Sequence, residues 1–178
     1  MRGRIGTLRI EPVANHPELL APPVRRALDV LAPEPLGVVA IDPELADTAA
    51  FCERYGVAPD ESANCVVVAA RRDGQTRLAA CVVLATTRAD VNGLVRRHLG
   101  ARKVSFAPME VAVAETAMAF GAITPIGLPG GWPVLVDAAV ARHRRVAVGS
   151  GLRGSKLVVA GATLAALPGA EVLEGLGR

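Results

Sequence analysis

The segment GAITPIGLPGGWPVLVD, Gly121 to Asp137, concentrates the residue types that hold a backbone in a set shape. Gly and Pro at this density exclude a helix or a long strand. A backbone held in this way presents N–H and C=O groups at set positions, and such a shape needs a purpose. Gly121 would let the backbone approach a ligand closely, and Pro125 would fix φ. The plainer alternative is a structural turn between a helix and a strand. A second stretch, GSGLRG at Gly149–Gly154, matches G-x-G-x-x-G and comes after an apolar strand. A dinucleotide site would need a helix next, with its N-terminus on the pyrophosphate. The next residues, SKLVVAG, are instead β-branched and read as another strand. These glycines make either a sharp strand-to-strand connection or a close backbone approach to a ligand. Ser155-Lys156 stands in the wrong order for a phosphate-binding P-loop.

Familiar catalytic groups are scarce. His16, His98 and His143 are isolated and read as surface or helix-end residues, and no paired ligand spacing points to a metal. No Gly-x-Ser-x-Gly elbow is present. Cys52, Cys65 and Cys81 form no CxxC pair, which fits reduced thiols in a cytosolic protein. Cys65 has no base near it in sequence, so its place in CVVVAA reads as core packing. No cofactor is expected.

The elements that must position these residues belong to one domain, since 178 residues bury one core well and two poorly. The content is 51% hydrophobic and 3% aromatic, so Val, Ala and Leu build that core. A net charge of +3 suits an anionic partner without requiring one. No apolar run is long enough to span a membrane, and the first residues lack a secretory pattern, so a cytoplasmic location is expected. The clearest local signal is a hairpin, with NCVVVAA and RLAACVVLA flanking Asp73-Gly74. PLGVVAI reads as a buried strand, and Asp42-Pro43 opens the helical stretch that Gly56 ends. Helices are expected at about 22–31, 89–99, 109–118 and 163–167. Strands are expected at 7–10, 103–106, 133–136, 145–148 and 157–159. The class is mixed α/β, since the hairpin excludes a purely parallel sheet.

Three segments together resemble the YbaK/EbsC family, the free-standing relatives of the editing domain inserted in bacterial prolyl-tRNA synthetases. VNGLVRRHLGARKVSFAP is similar to the family's helix, Gly-Ala-x-Lys and strand. FGAITPIG carries its Gly-x-x-x-Pro loop as Gly121 and Pro125, followed by a strand ending in Asp137. VAVGSGLRGSKLVVAGATLAAL is similar to its glycine-rich turn, strand and last helix. The resemblance spans about 65–167. It implies a mixed, mostly antiparallel, barrel-like sheet flanked by helices, in a single domain 1–178 whose first 35 residues are a variable extension. It also implies hydrolysis of the aminoacyl ester of mischarged tRNA, using bound water, backbone groups and a ribose hydroxyl of the substrate.

In that frame Gly121, Thr124 and Pro125 shape the amino-acid pocket, with Asp137, Ser150 and Gly151 beside it. Replacing Gly121 by Ala should abolish deacylation with little loss of stability. The family's lysine, which grips the terminal phosphate, is replaced here by Asn64, with Cys65 at the following threonine position. The turn's hydroxyl is shifted as well, to Gly149-Ser150-Gly151. Lys103, Arg153 or Lys156 could restore the missing charge. Arg96, Arg97, Arg102 and Lys103 form the densest basic cluster, either an acceptor-stem contact (with Arg153) or a solvated helix face. The implied partner is the acceptor end of an aminoacyl-tRNA, with a tRNA synthetase as a further candidate; membrane is not implied, and the oligomeric state stays open. Two rival readings remain: a binding module that lost turnover with the lysine, and a nucleotide-binding protein using GSGLRG.

Overall fold

The computed structural model describes residues 3–31 and 35–178, so residues 1–2 and 32–34 of the N-terminal extension lie outside it. The Asp73-Gly74 hairpin is its longest feature. Strands β4 (Ala63–Arg72) and β5 (Gln75–Leu84) pair antiparallel along their full length, with Ala63 opposite Leu84 and Arg72 opposite Gln75. Both turn residues take positive φ, 50° and 75°, as a tight primed turn requires. Earlier in the chain lie β1 (Arg4–Ile5), β2 (Leu8–Arg9) and β3 (Gly37–Ala40). Strand β6 (Lys103–Phe106) pairs antiparallel with β4, while β7 (Val134–Asp137) lies parallel to β5. A later strand, β10 (Ala170–Leu173), continues the sheet parallel to β7, giving the order β10-β7-β5-β4-β6.

A second sheet places β9 (Ser155–Val159) between β3 and β8 (Val146–Gly149), antiparallel to both. A parallel bridge between Ser62 and Ala147 joins the two sheets at the start of β4. The sheets curl together without closing into a barrel. GSGLRG is the turn between β8 and β9, and a strand comes after it, so the dinucleotide reading has no helix to stand on.

Helices pack around the sheets: α1 (Pro22–Leu28), α2 (Thr48–Tyr55), α3 (Arg96–His98), α4 (Met109–Thr116), α5 (Ala138–Ala141) and α6 (Gly161–Ala165). Asp42 caps a short turn at 43–45, and α2 has its own cap in Asp47. The stretch expected as one helix over 89–99 instead begins with a wide π turn at Val91–Val95. Its cause is local: the Asp90 carboxylate accepts from the amides of Gly93 and Leu94, and the Val95 amide reaches back five residues to the Asp90 carbonyl. The core is built of Val, Leu, Ala and Ile between the sheets and helices, and Phe51 is the large aromatic side chain fully inside it. The N-terminal segment joins that core through Ile5, Leu20 and Val24.

Candidate functional site

A cavity of about 450 Å3 opens where the start of β4, the end of β6, the N-terminus of α4 and the 120–123 loop converge with β8 and β9. The loop is fastened to the glycine-rich turn by backbone bonds, the Gly151 amide donating to the Ala122 carbonyl and the Ala119 amide to that of Gly151. Two glycines make this approach possible. At Gly149 a Cβ would sit 2.4 Å from the Ala122 carbonyl oxygen and 2.8 Å from that of Ile123. Gly121 has φ near +80°, and a Cβ there would meet the Arg153 guanidinium at 2.5 Å. Gly121 and Ile123 both line the cavity, and their amides form no hydrogen bond among the described residues. Both are therefore unspent backbone donors at the cavity wall.

Polar side chains line the same cavity. Asn64, on β4, accepts a hydrogen bond at Oδ1 from the Thr48 hydroxyl, at the start of α2. Asp47 spends its carboxylate on the amides of Ala49 and Ala50. From β9, Lys156 reaches the same cavity: it is 5% exposed, its Nζ donates to the Ala46 carbonyl at 3.0 Å, and it sits 5.1 Å from the centre of the Phe51 ring. Burial holds its ammonium below the usual lysine range, with Cys52 and Asp47 opposing that shift and Arg153 adding to it. Cys65 also lines the cavity, but burial pushes its thiol far up, and Cys81 adds to the effect. A neutral thiol is a poor nucleophile.

The rim is apolar. Phe106 is 66% exposed and Phe120 57%, and both line the mouth together with Met109. Arg153 donates to the Phe120 carbonyl at 3.0 Å, which sets a cation beside that rim.

The expected site residues divide. Asn64 and Gly121 line one cavity. Thr124 is fully buried behind the loop, with no partner for its hydroxyl among the described residues. Pro125 borders a different cavity, of about 710 Å3, next to Trp132. Asp137 serves α5 and the C-terminal segment, accepting from the amides of Ala139 at 3.0 Å and Gly177 at 2.6 Å. The Ser150 hydroxyl is turned into its own loop, bonded to Ser155 and the Leu152 carbonyl, while Gly151 packs on Ala21 and Met118. Arg96, Arg97, Arg102 and Lys103 are exposed around the hairpin end of the sheet, and Arg153 stands apart at the cavity mouth. Of the three stand-ins for the missing charge, Lys156 is the one lining the cavity. Thr48, Asp47, Phe106 and Phe120 escaped the sequence reading. For the two phenylalanines a signal existed, since aromatic residues are rare here and these come after a basic cluster and before Gly121.

The histidines are engaged elsewhere: His16 with Glu18, His98 with Glu171, and His143 with the Arg145 carbonyl. Among the described residues no group of three or more His, Cys, Asp or Glu could hold a metal ion, and no helix is long and apolar enough to cross a membrane.

Comparison with known proteins adds two findings. The sequence model of a family described as an aminoacyl-tRNA editing domain matches residues 42–167. Among solved structures, one assigned provisionally as a trans-editing enzyme for prolyl tRNA synthetase superposes with a TM-score of 0.71 at 22% identity, covering 89% of this chain and 99% of its own. A scaffold protein used for computational grafting of linear epitopes gives 0.72 at 20% identity, covering 89% and 97%. A third, described only as a hypothetical protein, gives 0.69 at 20%, covering 79% and 90%. At these identities the structures speak for the fold.

Proposed function

Because the chain belongs to the aminoacyl-tRNA editing domain family, we propose that it acts in trans on misacylated tRNA and hydrolyses the ester between the amino acid and the terminal adenosine. The observation that supports this most directly is the pairing of a backbone-built cavity wall, around Gly121, with a polar wall carrying Lys156 and Asn64. The amino acid enters the cavity, and the ester carbonyl lies against the amides of Gly121 and Ile123. Water adds to the carbonyl carbon, the oxyanion is held by those donors, and the ribose oxygen leaves and takes a proton. The inert Cys65 thiol and the remote histidines make water the nucleophile of this reading, with the substrate's neighbouring ribose hydroxyl able to carry the proton.

Gly121→Ala tests the site. Its deacylation of tRNAs charged with alanine, serine, threonine or cysteine should fall by about a hundredfold, because a side chain at this positive φ displaces the amide, on the scale of a misplaced oxyanion donor. The substitution also costs about 1 kcal/mol of stability, since φ is positive and Arg153 must move. That cost corrects the expectation of a neutral turn glycine. Full activity in a folded variant would remove the loop from the mechanism. A second reading is favoured by Asn64, which brings no charge: the cleft binds aminoacyl-tRNA without turnover. Wild-type binding of charged tRNA with no hydrolysis across the panel would select it.

A further inference from the structure

Lys156 is out of place by ordinary packing logic. It lies on a strand whose other residues are Ser, Leu and Val, it is 95% buried, and among the described residues it forms no ion pair. Burying an ammonium without a carboxylate against it costs stability that a Met of similar length would not incur. Strand alternation turns Lys156 and Val158 toward Phe51, away from the core that Leu157 and Val159 fill. The side chain therefore runs under α2 and ends at the cavity, where among the described residues one of its three N–H donors is taken, by the Ala46 carbonyl.

We propose that Lys156 is the substrate-binding cation of this cleft and takes an anionic oxygen of the substrate, with Asn64 beside it as a neutral hydrogen-bonding partner. This rests on the editing reading above. The end of an aminoacyl-tRNA offers two such oxygens: the phosphodiester on the terminal adenosine, and the oxyanion formed as water attacks the ester. The α-amino group carries no negative charge, and in its protonated form it repels a buried ammonium. A second cation at position 64 would repel the first across one small cavity. Asn64→Lys, which restores charge on paper, is therefore expected to lower activity.

The test uses the full chain, with an uncleavable probe beside the turnover assay. The probe is an adenosine whose 3′ position carries an amide-linked amino acid, prepared with and without a 5′-phosphate. Wild type should bind the phosphorylated probe at least tenfold more tightly, and Lys156→Met should lose that preference while its Tm does not fall. If wild type binds both probes alike but Lys156→Met loses a hundredfold in kcat with KM unchanged, the oxygen is the oxyanion and the proposal stands on that source. The double variant Asn64→Lys/Lys156→Met should regain part of what Lys156→Met lost, because it again places a single cation at the wall. Lys156→Met that matches wild type in probe binding and in kcat overturns the proposal, as does activation by Asn64→Lys alone. A wild type that hydrolyses nothing sinks the deacylase reading by itself, and the probe arm still decides Lys156.

Discussion

At the scale of single residues, the site turns on where charge is held and where it is withheld. The Lys156 ammonium is depressed by burial, so below its folded pKa the folded state carries a desolvation cost that the unfolded chain does not. That cost is relieved as pH rises toward the unfolded value of 10.5, and stability should increase over this alkaline window while substrate binding is lost. Lys156→Met removes both effects, which is why its Tm is expected to hold. Cys65 illustrates the opposite case. Its thiol faces the cavity yet stays protonated well above neutral pH, so iodoacetamide at pH 8 should leave deacylation intact over a period that fully labels a free model thiol. Rapid inactivation blocked by Cys65→Ser would instead give it a reactive role. Sequence alone read Cys65 as packing, from its apolar neighbours. It could not tell Lys156 from Lys103, because the two differ in which side of which strand they occupy, and that depends on pairing between distant segments.

The elements were more legible than the site, for reasons specific to each. Asp73-Gly74 forces a turn, so the hairpin could be read in register from local chemistry alone. Lys103–Phe106 has the expected bounds, and the Met109 helix has the expected start. That helix stops at Thr116 because Ala117 adopts a left-handed φ of 54°, which no turn residue announces. β10 was missed: Ala170–Leu173 alternates weakly, and its strand character comes from β7, to which it pairs. Asp137 has a structural role of its own beside the one carried across by position. It ends β7 as expected, but its carboxylate ties β7 to α5 and to the segment around Gly177. Asp137→Ala should therefore destabilise the fold by about 1–3 kcal/mol, as loss of a buried charged acceptor does. Its kcat/KM, measured well below the lowered Tm, should match wild type. A large loss of kcat/KM at unchanged stability would return Asp137 to the substrate.

On the scale of the whole molecule, the editing reading proposes a direction of approach for the substrate. The basic residues gather at the hairpin end, where Arg72 donates to the Gly100 carbonyl and Arg77 to that of Leu99, drawing the hairpin against the end of α3. From there β6 runs along the sheet edge, with Lys103 opposite Arg71 at the basic end and Phe106 opposite Val68 at the cavity mouth. Three steps along the strand separate them, roughly 10 Å at the usual rise, or a few backbone phosphates. An acceptor stem lying along this edge would set its phosphates against Arg102 and Lys103, and its unpaired terminal bases against the exposed rings of Phe106 and Phe120. The two contacts carry different signatures. Arg102→Ala/Lys103→Ala should raise KM for charged tRNA several-fold at low salt, leave kcat unchanged, and flatten the dependence of log(1/KM) on log[salt] by between about one and two units. Phe106→Ala/Phe120→Ala should raise KM at every salt concentration, by roughly tenfold or more for loss of base stacking, without altering that slope. If the basic pair changes neither KM nor slope, those side chains are a solvated face and the tRNA body approaches from elsewhere. The phenylalanine result then stands alone, because stacking at the mouth requires only the terminal nucleotides.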